Sequence, residues 1–182
     1  MNEAYDHILN RHSCRAYESI AVEHDKLEDI IKAGLHAPTA MNRQETHFTV
    51  VSGENLTRLI NAVVEAILSG ELYYSREIDA SFRPHYDAPY LILVSAPTEN
   101  PFSCQDCSCA LENIFLAASA LGLGSCWINI FLHACKTPSV RSIMTELGVP
   151  CGNTVYAGAA IGYPSDPLRI VEHDPNGRVV WS

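Results

Sequence analysis

Apolar positions along the chain change their period several times, and each change marks an element. Ala4, Tyr5, Ile8 and Leu9 make a short stripe at helical spacing, so a helix is predicted that stops before Arg11. Leu27, Ile30, Ile31 and Leu35 share one face of a second helix, with Asp25 as its cap and Pro38 enforcing its end. HFTVVS (47–52) is short and β-branched and reads as a strand. A third helix follows from Leu56, Leu59, Ile60, Val63, Val64, Ile67 and Leu68, with Gly70 positioned to end it. Residues 71–89, rich in Tyr, Arg and Pro, carry neither period and read as an irregular excursion.

PYLILVSAP (89–97) is apolar on consecutive positions, which a strand needs when both its faces are buried, so it belongs at the centre of a sheet. Gln105 to Leu121 form a helix that is apolar nearly all round, with small Ala110, Ala117, Ala118 and Ala120, and packing on several sides is expected. GLGSCWINIF (122–131) turns from that helix into another strand. Thr137 and Pro138 open a helix that should end at Gly148, and NTVYAGAAIGYP (153–164) is the next strand. DPNG then separates RIVEH from RVVWS, a hairpin signal. Helices and strands interleave without a low-complexity linker, so one domain over 1–182 of mixed α and β class is expected; periodicity does not supply the strand order.

Composition narrows the function classes. The 182 residues are 47% hydrophobic and 18% charged, which fits a globular domain with a real core. A formal net charge of -9 argues against the wide basic surface that nucleic acid requires. The start MNEAYDHILN carries acids and no apolar signal segment, and no apolar run reaches the roughly 18 residues of a membrane span, so a cytoplasmic protein is expected. Seven cysteines, an odd count, read as free thiols of a reducing compartment. Cys104, Cys107 and Cys109 have the short spacing of a zinc or iron–sulfur site but lack a fourth ligand nearby; small buried thiols are the alternative. No Ser-His-Asp grouping, phosphate-binding glycine loop or H-E-x-x-H is present.

Against this acidic background, Arg11, His12, Ser13 and Arg15 fall within five positions with no acid among them. So dense a set of donors fits one small anion, the alternative being solvated groups at a helix end.

Four separated stretches carry a resemblance: R-H-S-C-R (11–15), A-P-T-A-M-N-R-Q (37–44), E-N-I-F-L-A-A-S-A-L-G-L-G-S-C-W-I (112–128) and A-I-G-Y-P (160–164). In this order and spacing, over nearly the whole chain, they resemble the FMN-dependent nitroreductases. The resemblance implies an α+β fold, a central and mostly antiparallel sheet wrapped by helices, in an intertwined homodimer with two FMN molecules at its interface. It implies Arg11 and His12 on the FMN phosphate, Ser13 on phosphate or ribityl oxygens, and Arg15 at the N1–O2 edge of the ring. Pro38, Thr39, Ala40, Met41, Asn42 and Gln44 would reach across from the partner subunit to the ribityl chain and pyrimidine edge, where uncharged amides match the donor and acceptor pattern. Trp127, Ile128, Asn129 and Ile130 would lie beside the ring and offer a backbone N–H toward N5. Here the chain departs from the family, which usually carries glycine, or an acid followed by glycine, after the Trp-Ile pair.

Arg169 is implied as a further phosphate cation, or else it decorates the edge of a C-terminal strand. Tyr73, Tyr74, Arg83, His85 and Tyr86 fall where the family places a variable segment over the open face of the flavin, as substrate contacts or as loop residues without a role. The implied activity is hydride uptake from NADH or NADPH and transfer of two electrons to nitroaromatics, quinones or related acceptors in a ping-pong cycle. The cofactor carries the chemistry and no side chain is needed as acid or base. Two alternatives stay open: a flavoprotein of the same fold doing dehalogenation, desaturation or flavin fragmentation, and a non-enzymatic sensor or metal-binding module built on the cysteines.

Overall fold

The computed structural model describes residues 3–166 and 179–181. Along these run α1 (Glu3–Asn10), α2 (His24–Leu35), a 3-10 turn (Ala40–Asn42), β1 (His47–Ser52), α3 (Gly53–Leu68), β2 (Tyr90–Pro97), α4 (Ser103–Ala120), β3 (Gly124–Ile128), α5 (Ile130–Ala134), α6 (Pro138–Glu146) and β4 (Asn153–Gly162). The strands form one sheet in the order β1-β2-β4-β3, and each neighbouring pair is antiparallel. No pair is a hairpin: every connection between paired strands passes through helix. This is the α+β architecture that the resemblance implied.

The consecutive apolar run of β2 is explained by its place. Leu91, Ile92, Leu93 and Val94 have no exposed surface, because successive side chains point to opposite faces and both faces are covered. Leu91 and Leu93 join Leu59 and Val63 of α3 and Val140 and Met144 of α6 in one core. Ile92 and Val94 join Ile30 of α2 and Leu111 and Ile114 of α4 in the other. Each such side chain buried contributes roughly 1.5–3 kcal/mol. The sheet is therefore the shared floor of two hydrophobic layers.

Three boundaries differ from the sequence expectations. β3 ends at Ile128, and GLGSCWINIF does not stay extended: Asn129 takes helical angles (φ -74, ψ -22) and opens α5. The reason lies on a neighbouring strand, since Phe131 of α5 packs onto Gly158 of β4, where an added Cβ would sit 2.8 Å from its ring. Helix α2 begins at His24 after Glu23, so Asp25 lies in the first turn, where a carboxylate favours the helix dipole without capping. Helix α4 starts at Ser103, before Gln105. By contrast Gly70 (φ +78) and Gly148 (φ +102) stand just past α3 and α6, in the left-handed conformation that a helix stop uses. Residues 71–89 form neither helix nor strand. The hairpin expected around Asp174 to Gly177 lies outside the described residues.

Helix α1 leaves apolar surface uncovered within one chain. No residue of α1 is buried, and Tyr5, Ile8 and Leu9 are each more than half exposed. Helix α4 packs on several sides, against α1, α2 and the sheet, burying Cys107, Ala110, Leu111, Ile114, Phe115 and Ala118, and its exposed positions include Gln105 and Glu112.

Candidate functional site

The basic cluster is fixed along the free edge of β3. Ser13 pairs in parallel with Ser125, and the Cys14 amide donates to the Ser125 carbonyl at 2.8 Å. Farther on, Tyr17 pairs with Pro164, Glu18 N–H donates to the Tyr163 carbonyl (2.8 Å) and Ser165 N–H to that of Ala16 (3.1 Å). The A-I-G-Y-P stretch thus holds the far end of the same segment. Contact is closest at Gly124, where a Cβ would lie 2.6 Å from Cys14 Sγ, so only glycine lets the segment lie flat on the strand.

Arg11 reaches Glu112 of α4 through Nε at 3.5 Å. His12 Nδ1 meets the Asn10 carbonyl at 2.8 Å, which leaves Nε2 buried without a partner. Such an orphan is costly unless a ligand or water completes it. The Ser13 side chain hydrogen-bonds Cys126, whose thiol is nevertheless pushed up by burial, with Arg15 opposing the shift. Arg15 lies over the Tyr86 ring, 5.9 Å from its centroid, and its hydrogen bond to Tyr86 tightens the guanidinium's hold on its proton.

Residues 38–44 make a different kind of surface. Met41 (φ 55), Asn42 (φ 52) and Gln44 (φ 54) are all left-handed without being glycine, at a cost of roughly 1 kcal/mol or more each. Local hydrogen bonds hold them there: Gln44 N–H to Thr39 Oγ1 (3.0 Å), Gln44 Nε2 to Asn42 Oδ1 (2.9 Å) and Ala40 N–H to the carboxylate of buried Asp106 (2.9 Å). Met41 stands 71% exposed. The result is a locally braced, exposed edge in which the amides Asn42 and Gln44 flank Arg43.

One chain does not bring these two stretches together. His12 lies against Ser119 and Leu123 at the end of α4, whereas Ala40 is tied to Asp106 near its start. The 13 helical steps from Asp106 to Ser119 span about 20 Å.

Two other groups do converge. A cleft of about 570 Å³ is lined on one side by Trp127, Ile128, Asn129 and Ile130, and on the other by Tyr73, Tyr74, Arg83 and Tyr86. Trp127 is held by its Nε1–H to Asn129 Oδ1 (3.3 Å) and stands edge-on to Phe115 at 6.4 Å. Asn129 has negative φ, so its departure from the family's glycine brings no backbone strain. His133 and Arg76 also line the cleft and were not foreseen; His133 lies on α5, which its sequence presents as strand. His85 faces away from the cleft: it is only 7% exposed, and its Nδ1 is buried without a partner. Arg169 lies outside the described residues.

Burial holds His85 below the ordinary histidine range, with Asp87 opposing the shift and Arg83 reinforcing it. A depressed folded-state pKa means that the unfolded chain binds the proton more readily, so stability is full above about pH 6.5 and falls as pH drops through the lower folded value. Thermal unfolding followed from pH 8 to 5 should show this loss, and His85→Phe should flatten it. An unchanged acid limb in the variant would assign the effect elsewhere.

The cysteines give no metal geometry. Cys107 is buried, its thiol pushed up to about 12 by desolvation, while Cys104 and Cys109 are exposed. Among the described residues no group of three or more His, Cys, Asp or Glu is placed to hold a metal ion, and no helix is long and apolar enough to cross a membrane.

Comparison with known proteins places these features in a common frame. Residues 8–163 match the sequence profile of the Nitroreductase family. An Archaeoglobus fulgidus protein provisionally named NADH dehydrogenase/NAD(P)H nitroreductase is 30% identical over 177 residues, covering 96% of this chain and 92% of its own. An iodotyrosine deiodinase of Thermotoga neapolitana is 28% identical, covering 92% of this chain and 91% of its own. The crystal structure of a nitroreductase with bound FMN from Bacteroides fragilis NCTC 9343 superposes with a TM-score of 0.88 at 33% identity over the whole of both chains.

Proposed function

The chain belongs to the nitroreductase family, and on that premise we propose that it is an FMN-dependent oxidoreductase that takes hydride from NADH or NADPH and passes two electrons to a nitroaromatic, quinone or related acceptor. One observation carries the reading: the donors Arg11, Ser13 and Arg15, with the buried, unpartnered Nε2 of His12 among them, are clamped to β3 and linked through Arg15 and Tyr86 to an aromatic cleft.

The residues fit FMN. Arg11, His12 and Ser13 supply a guanidinium fork, a ring nitrogen and a hydroxyl for a phosphate, and Arg169 is the further cation assigned to it. Arg15 places a fixed positive charge beside the cleft, which favours an electron-rich ring next to it. FMN, when bound, supplies the reversible two-electron chemistry. The walls of Trp127, Ile130, Tyr74 and Tyr86 flatten and orient an aromatic acceptor and keep water out. No catalytic acid or base is assigned.

The distance between the two stretches supports a second part of the proposal: the site is shared. The amide edge of Pro38 to Gln44 completes the pocket of a second copy, in a homodimer that also covers the apolar face of α1.

The test is direct. Purified protein should carry a flavin spectrum and oxidise NADH or NADPH with parallel initial-rate lines. Arg11→Ala should weaken FMN binding about 10- to 100-fold, the worth of a charge-assisted contact. Intersecting lines, or full FMN retention in the variant, would defeat the reading. Likeness to the deiodinase favours reductive dehalogenation as the second reading, and a screen pairing nitroaromatics with halophenols separates the two.

A further inference from the structure

The lining of the cleft has a charge balance opposite to that of the protein. Among the described residues it carries Arg76, Arg83 and His133 and no Asp or Glu, in a chain with 21 acidic residues against 12 Lys and Arg. These cations are not equivalent. Arg83 donates through Nη1 to the carbonyls of Ala80 and Phe82, both at 3.0 Å, and its Nε stands 3.8 Å from Asp87, so it is occupied in holding its own loop. Arg76 is exposed and has neither hydrogen bond nor ion pair among the described residues. The acids nearest to it in sequence, Glu77 and Asp79, line an adjoining depression that Arg76 also borders, but neither pairs with it, and the Asp79 carboxylate accepts the Ser81 N–H at 2.8 Å.

An uncommitted guanidinium beside a wall of aromatic rings recognises a flat molecule bearing an acid group: the rings take its π face, and the fork takes its carboxylate or sulfonate. We propose that the preferred acceptor is an aromatic anion and that Arg76 is the specificity-determining residue that holds its acid group, with His133 as a second donor on the opposite rim. This assignment rests on the proposed function for the electron transfer but not for the binding.

The same fork could engage a donor phosphate, so the experiment has an arm for each source. The acceptor arm compares 4-nitrobenzoate with 4-nitrobenzamide, which differ in charge at nearly equal shape. In the wild type the anion should have the higher kcat/KM. Arg76→Gln should lower kcat/KM for 4-nitrobenzoate about tenfold, the scale of one charge-assisted hydrogen bond at a partly exposed site, and leave the amide within twofold. Arg76→Lys should recover part of the loss. The donor arm compares NADPH with NADH: a loss confined to NADPH would move the anion to the donor and overturn the assignment. A separate measurement needs no turnover. Calorimetric titration of 4-nitrobenzoate into the purified flavoprotein without a donor should give binding that Arg76→Gln weakens by the same factor. If that binding holds while no NAD(P)H is oxidised, the proposed function falls and the anion site stands. Equal losses for acid and amide, or none, remove the anion site and leave the oxidoreductase untouched.

Discussion

Gly124→Ala is expected to strip the protein of FMN and to destabilise it by about 1–3 kcal/mol, the usual cost of forcing an extra methyl into a filled site. The new Cβ would meet Cys14 Sγ at 2.6 Å and Cys14 Cβ at 2.7 Å. Neither atom has room to move away, because the Cys14 amide is bonded to Ser125 and the Cys14 side chain is 5% exposed. Relief therefore comes only by lifting the segment from β3, and with it Arg11, His12, Ser13 and Arg15. Gly122→Ala is the control: it sits at φ +73 with nothing within 4 Å of an added Cβ, so it should cost backbone strain of about 1 kcal/mol and leave flavin content near normal. Flavin-to-protein ratio and urea midpoint report the two effects separately. A Gly124→Ala protein that purifies with a full complement of FMN would show that the close packing does not set the site.

The second large effect is complementation. Arg11→Ala and Asn42→Ala should each be nearly inactive alone, since each spoils one of the two stretches that α4 holds about 20 Å apart. If the stretches meet across two copies, unfolding the variants together and refolding them as a mixture makes dimers in which one site carries both changes and the other carries neither. Random pairing makes half the dimers mixed, so about a quarter of all sites, and a similar share of activity, should return. Refolding each variant alone provides the baseline. A mixture no more active than its components, or a monomer in sedimentation that binds FMN tightly, would return the whole site to a single chain.

Local signals in the sequence were read well where one element decides its own fate. HFTVVS is β1 to the residue, and the solid apolar run of 90–96 announces a strand with two covered faces. Gly70 and Gly148 mark helix stops because the left-handed angle they adopt is a property of the glycine itself. The errors came where a distant partner decides. Ile130 and Phe131 continue a strand pattern by composition, and only the bare surface of Gly158 draws them into a helix. His133 was missed with that helix, and His85 looked like its loop neighbours although it turns inward. Within the site, the clustering of Arg11 to Arg15 was visible in one dimension. The tie between Ala40 and Asp106, which carries the amide edge away from that cluster, spans 66 positions and has no local signature.

The absence of hairpins in the sheet bears on how the molecule comes into being. Ser52 of β1 faces Tyr90 of β2, Tyr90 faces Ile161 of β4, and Gly124 of β3 faces Gly162, so no strand finds its neighbour without closing a loop of tens of residues. Topologies dominated by such distant pairings fold slowly, in roughly milliseconds to seconds for small domains, because chain entropy is lost before contacts reward it. The segment at 13–17 is an extreme case: it docks on residues 125 and 164, more than a hundred positions away, and both must already stand side by side. On a ribosome the basic cluster emerges long before the strands that seat it. Capture of FMN by a refolding chain should therefore trail the recovery of secondary structure, making flavin uptake a timer for the final step of assembly.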